Sequence, residues 1–65
     1  MSYMIQEWND EIEGYMYLEN FDDGDSEWSP DMEDAYLFDN KSSAREVAKL
    51  CRLDESATEI VGYPL

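Results

Sequence analysis

Apolar and polar residues along the first 21 positions follow the period of strands. SYMIQEW at 2–8 is rich in aromatic and aliphatic residues with imperfect alternation, and the turn-forming NDEIEG leads into GYMYLENF at 14–21. Two such runs around a polar turn predict a β-hairpin. In the second strand Gly14, Met16 and Leu18 share one face, and Glu13, Tyr15, Tyr17 and Glu19 share the other, because successive side chains alternate across a strand. Met16 and Leu18 are expected to face the core.

Residues 22–34 read as a long solvated connection. Asp22, Asp23, Gly24 and Asp25 supply turn chemistry, and Ser29-Pro30 suits the cap and first position of one short helical turn. AYLFD at 35–39 reads as a third strand. The helix signal is clearer: Asn40 is a good N-cap, Ser43 to Glu46 has capping-box spacing, and Ala44, Val47, Ala48 and Cys51 recur at i, i+3, i+4 and i+7. This predicts an amphipathic helix over about 41–53. TEIVGY at 58–63, β-branched and followed by Pro64, predicts the last strand. No internal repeat and no dividing linker is present. The expectation is a single domain over 1–65, an α+β fold in the order β-β-β-α-β. About four strands form a small antiparallel sheet with one helix packed on it.

Composition limits what such a fold can do. A chain of 65 residues buries only roughly 60% of its unfolded surface, so its core is small. Seventeen acids against four bases give a formal charge of −13, which repels itself in the compact state. High charge alone favours disorder, but 43% hydrophobic residues and nine aromatics mark a folded acidic domain. No run approaches the length of a membrane span. No basic n-region followed by an apolar stretch opens the chain, and the single Cys51 has no internal partner, so a reducing cytoplasm is the expected compartment. Anionic lipid and nucleic acid are both repelled, so neither membrane nor direct DNA or RNA binding is expected.

The charge is unevenly placed. Residues 1–40 hold thirteen acids and no base, whereas residues 41–65 hold four of each. Lys41, Arg45, Lys49 and Arg52 follow helical spacing beside the apolar stripe, where they are expected to keep the helix docked against an anionic sheet.

Catalysis and metal binding have little support. The chain has no His, and Cys51 falls on the apolar helix face, where a thiol is buried and inert. Carboxylate catalysis needs a pocket that raises a pKa, and this core is too small to build one. No catalytic residue, cofactor or dedicated metal site is expected. DDGDSE has the look of a calcium loop, but with Gly24 sixth the first and third positions fall on Glu19 and Phe21, and the twelfth on Pro30. That pattern fails. Weak, nonspecific divalent binding by clustered carboxylates is expected instead.

A surface that is merely solubilised mixes both signs of charge, and forty consecutive residues here carry only one. The candidate partner-binding residues are Asp10, Glu11, Glu13 and Glu19 of the hairpin with Asp22, Asp23, Asp25, Glu27, Asp31, Glu33 and Asp34 after it. Side chains on one strand face recur at roughly 6.6 Å. Such carboxylates can imitate the regular charges through which DNA attracts basic proteins. Tyr3, Tyr15 and Tyr17 can add amphipathic contact area.

The segment WSPDMEDAYLFDNKSSAREVAKL, from Trp28 through Ala35, Phe38 and Ala44 to Leu50, resembles a pattern recurrent in small phage and mobile-element proteins. It covers about a third of the chain, and its residues are structural. Together with size, charge and element order, the chain is similar to small phage anti-CRISPR proteins that act as DNA mimics against type I CRISPR-Cas complexes. The resemblance implies that the chain acts in the cytoplasm of a bacterial host, binding a Cas subunit and blocking the basic surface that recognises the protospacer-adjacent motif or holds the target duplex. A monomer is expected. Two other readings use the same surface. One is an anti-restriction inhibitor, or an inhibitor of a nucleoid protein or polymerase. The other is an acidic antitoxin or immunity protein that neutralises a basic nuclease.

Overall fold

The computed structural model describes residues 1–63. Strands β1 (Ser2–Asn9), β2 (Gly14–Asp22), β3 (Asp25–Ser29) and β4 (Thr58–Tyr63) form one sheet in the order β3-β2-β1-β4. Every pairing is antiparallel. A 3-10 turn, Met32–Asp34, and one helix, α1 (Lys41–Leu50), separate β3 from β4. The α+β class and the order β-β-β-α-β are as expected.

The third strand, however, is a different segment. Gly24 takes a left-handed backbone (φ 82°), which lets the Asp23-Gly24 turn reverse the chain at once. Asp22 then pairs with Asp25, and Leu18 with Trp28. The stretch 22–34 is therefore a hairpin arm and a 3-10 turn, not one solvated loop. AYLFD does not form a strand. Its backbone makes one bridge, in which Tyr3 and Phe38 exchange hydrogen bonds of 2.9 and 2.8 Å, while the Tyr36 amide donates to the Leu18 carbonyl at 2.8 Å. The segment thus lies between the start of β1 and the far half of β2.

The register slips between Leu18 and Asn20, leaving Glu19 as a bulge. One extra residue changes the parity of a strand. Leu18 and Phe21, which a regular strand sends to opposite faces, both pack into the core. There Ile5, Leu18, Phe38 and Ala44 are buried, ringed by Tyr3, Phe21, Trp28, Val47, Ala48, Leu53 and Ile60. Phe21 meets the Tyr36 ring edge-on at 5.0 Å, and Tyr36 meets Phe38 at 4.9 Å. Met16 shares Leu18's face but is only half-buried.

Met4 and Ile5 are neighbours in β1 and both are fully buried, so the central strand is covered on both faces. The helix takes Ile5's side. On the other side Tyr17 and Ser29, register partners, are also buried, which corrects the outward placement of Tyr17. The 3-10 turn packs against β2, and the Ser29 hydroxyl donates to Asp34 at 2.9 Å. Part of that face is thereby closed.

Helix α1 begins at Asn40, whose side chain accepts from the Ser43 amide at 2.8 Å. Asn40 supplies the cap, so the Ser43–Glu46 spacing is not used as one. The helix stops at Leu50, short of the expected 53, because Arg52 adopts a left-handed backbone (φ 56°). The Leu53 amide then bonds to the Ala48 carbonyl and the Arg52 amide to that of Lys49, the paired bonds of a Schellman ending with Arg where Gly is usual. Asp31, rather than Ser29, caps the 3-10 turn by accepting from the Glu33 amide.

Candidate functional site

In a meander the two hairpin turns lie at opposite ends of the sheet. The β1–β2 turn carries Asp10, Glu11 and Glu13, and the β2–β3 turn carries Asp22, Asp23 and Asp25, all exposed. Between them β2 runs from Gly14 to Asp22, about 26 Å at ~3.3 Å per residue. That length fits the 29 Å longest dimension of the molecule. Six of the eleven candidate residues therefore form two acidic poles, one at each end of β2, rather than one patch. Glu19 at the bulge and Glu27 on β3 lie between the poles, and both are exposed.

Local chemistry holds each pole in shape. At the first, the Asn9 side-chain oxygen accepts from the Glu11 and Ile12 amides at 2.9 and 3.3 Å. The Trp8 indole donates to Asp10 at 2.8 Å, and Glu13 sits in the left-handed region (φ 50°), a conformation more at home with Gly or Asn. At the second, Asp22 accepts from the Asp23 amide at 2.8 Å. Below this turn the Cys51 sulfur lies 3.5 Å from the Asp25 carbonyl oxygen and 3.8 Å from that of Asp22. The helix end is thus tied to the acidic turn.

Asp31, Glu33 and Asp34 form a third group on the 3-10 turn, exposed but partly committed to structure. Asp31 caps the turn and Asp34 accepts from Ser29. In all, sixteen of the seventeen acids are exposed, and Glu7 is half-buried. Lys41, Arg45, Lys49 and Arg52 are exposed on or just after the helix, with the Lys41 ammonium 5.8 Å from the Tyr3 ring centre. Like charge dominates both poles.

Among the described residues no three acidic or Cys side chains converge as a metal cage, and no helix is long and apolar enough to cross a membrane. A cleft of about 240 Å³ lies between helix and sheet, lined by apolar Ile5, Leu53 and Ile60 and by charged Arg45, Lys49 and Glu55. A second, of about 270 Å³, borders the β2–β3 turn and is lined by Asn20, Phe21, Asp22, Asp25, Ser26 and Glu27.

Composition and alternation do not reveal one feature of this surface. Trp8 and Tyr15 are register partners on the sheet face away from the helix, with ring centres 5.2 Å apart at 82°. Trp8 keeps 47% of its surface exposed and Tyr15 36%, and Ile12 in the turn between them keeps 52%. Trp28, by contrast, is half-buried against the core and its indole donates to Ser26. The two tryptophans look alike in sequence, and only strand parity separates them.

The fold and surface define a class, a small antiparallel α+β domain with acidic sheet ends and a basic helix. No protein-family model, curated protein or solved structure matches the chain.

Proposed function

We propose that this domain is an acidic decoy that occupies the DNA-binding surface of a basic protein. One observation carries the reading: every carboxylate of the acidic poles is exposed, and no base lies among the first forty residues. Keeping so much like charge on so small a core costs stability through self-repulsion, and a complementary partner relieves that cost. The poles lie about 26 Å apart, close to eight base pairs of duplex at ~3.4 Å each. A groove that holds a short duplex can meet both poles at once, its Arg and Lys pairing with Asp and Glu.

The target we favour is a type I CRISPR effector, with a Cas subunit as the bound protein and target-DNA recognition as the step blocked. Support for that choice is the similarity in size, charge and element order to small phage anti-CRISPR proteins. The deciding experiment is capture of partners from a bacterial lysate by the tagged domain, followed by competition with duplex DNA. A captured Cas complex that loses target DNA as the domain is added supports the reading. Capture of a restriction enzyme or a basic nuclease toxin redirects it, and a partner that binds DNA and the domain together overturns the decoy mechanism.

A further inference from the structure

The β1–β2 hairpin carries large apolar side chains into water at Trp8, Ile12 and Tyr15. A Trp, a Tyr and an Ile that remain 47%, 36% and 52% exposed leave apolar area in water that burial would stabilise at about 25 cal/mol per Å². They are also held in place. Cross-strand pairing fixes Trp8 against Tyr15, the indole is tied to Asp10, and Asn9 braces the turn through Glu11 and Ile12. Asp10 lies against the indole, and Glu11 and Glu13 are exposed in the same turn. Glu13 holds a left-handed backbone at a cost of roughly 1 kcal/mol that Gly would not incur, so the turn retains an acid at the expense of an easier residue.

We propose that Trp8 and Tyr15 form the energetic centre of the partner interface and receive an arginine of the basic partner, with Asp10 and Glu13 pairing its guanidinium edge. The proposal rests on the decoy reading and adds which side chain of the partner is recognised. Charge complementarity selects the occupant. A guanidinium stacks on an aromatic face while its fork meets carboxylates, and Arg does both better than Lys. A second copy of this chain would bring acid against acid, and a nucleic acid would bring phosphates to the same rim. Preorganised aromatics at the centre of a charged rim are the anatomy of an interface hot spot.

The test uses the whole chain labelled with 15N and two peptide probes of equal charge, nona-arginine and nona-lysine, at about 0.1 M NaCl. Only two indole N–H signals exist, Trp8 and Trp28, and Trp28→Phe assigns them. Nona-arginine is expected to shift the Trp8 indole, leave Trp28 in place, and bind about threefold or more tighter than nona-lysine. Trp8→Ala, at an exposed site, should abolish the arginine preference, bringing nona-arginine affinity down to that of nona-lysine on the same variant. Equal binding of both peptides with an unmoved Trp8 indole overturns this proposal and leaves the charged-surface reading standing. No binding of either peptide overturns both. A Trp8 shift on raising protein concentration alone, or on adding single-stranded oligo-dT, overturns it in favour of self-association or base stacking.

Discussion

Asp22 and Asp25 face each other as register partners across the Asp23-Gly24 turn, like charges at a position where opposite charges stabilise a sheet. Asp25→Lys is expected to raise stability by about 0.5–1 kcal/mol in urea unfolding. Replacing Asp22, Asp23 and Asp25 together by Asn keeps the Asp22 acceptor for the Asp23 amide and removes the charge. That triple change should weaken the partner complex at least tenfold, about 1.4 kcal/mol, and reduce inhibition of target-DNA binding in parallel. The matched control is Glu46, Glu55 and Glu59 to Gln, in the charge-balanced half. Asp54 is excluded because it accepts from the Ser56 amide and hydroxyl. An inhibitor that tolerates the first change as well as the second would place the mimic at the other pole, Asp10, Glu11 and Glu13.

Salt should separate folding from binding. Screening relieves repulsion within each pole, so the melting temperature is expected to rise between about 0.1 and 0.5 M NaCl. Partner affinity should fall over the same range. A melting temperature and an affinity that are both flat in salt would sink the charged-surface account.

The hairpin, the capped helix and the last strand are legible in sequence because each carries its own periodic signal. The third strand is not. DSEWS holds one large apolar residue, since an edge strand needs only Ser26 and Trp28 on its core side, and its exposed Asp25 and Glu27 suit an edge that must not recruit another chain. AYLFD looks more strand-like but can pair only where β1 and the bulged β2 leave Tyr3 and Leu18 unsatisfied. The candidate acids are legible as exposed side chains, yet their division into two poles depends on which turns close hairpins. The outward Trp8 and inward Trp28 depend on strand register, which composition does not encode.

Two non-glycine residues hold left-handed backbones, Glu13 and Arg52. Arg52→Gly at the Schellman position is expected to stabilise the domain by about 1 kcal/mol, and Glu13→Gly by a similar amount. Chemical unfolding of the two variants checks this. Only Glu13→Gly should also weaken the partner complex, because Arg52 lies in the basic half. Loss of stability in Arg52→Gly would mean that its side chain, not its backbone, closes the helix.

Packing of the helix is tested at Ala44 and Val47. Ala44 is fully buried and Val47 half-buried, both within the core cluster. Ala44→Asp and Val47→Asp place an unpaired charge there and should unfold the domain, whereas exposed Arg45→Ala should cost under about 0.5 kcal/mol. Native circular dichroism from a soluble Ala44→Asp protein would contradict this packing.

Cys51 reports on the second acidic pole from beneath. Burial pushes its thiol pKa up, and the carboxylates of Asp23 and Asp25 push in the same direction, since both disfavour a thiolate. At pH 8 the native thiol should therefore react with iodoacetamide more slowly than the urea-unfolded chain. The native state keeps this proton after the unfolded chain has released it, so the contribution to stability is fully present below the ordinary thiol range of about 8.5 and is lost as pH rises through the native value. Urea midpoints should fall above that pH more steeply in the wild type than in Cys51→Ala. Asp23→Asn with Asp25→Asn lowers the native thiol pKa, so its decline should be smaller and end at lower pH. If the double change leaves both the reaction rate and the alkaline decline as in the wild type, the two carboxylates do not act on the thiol, and the helix end is not seated under the turn.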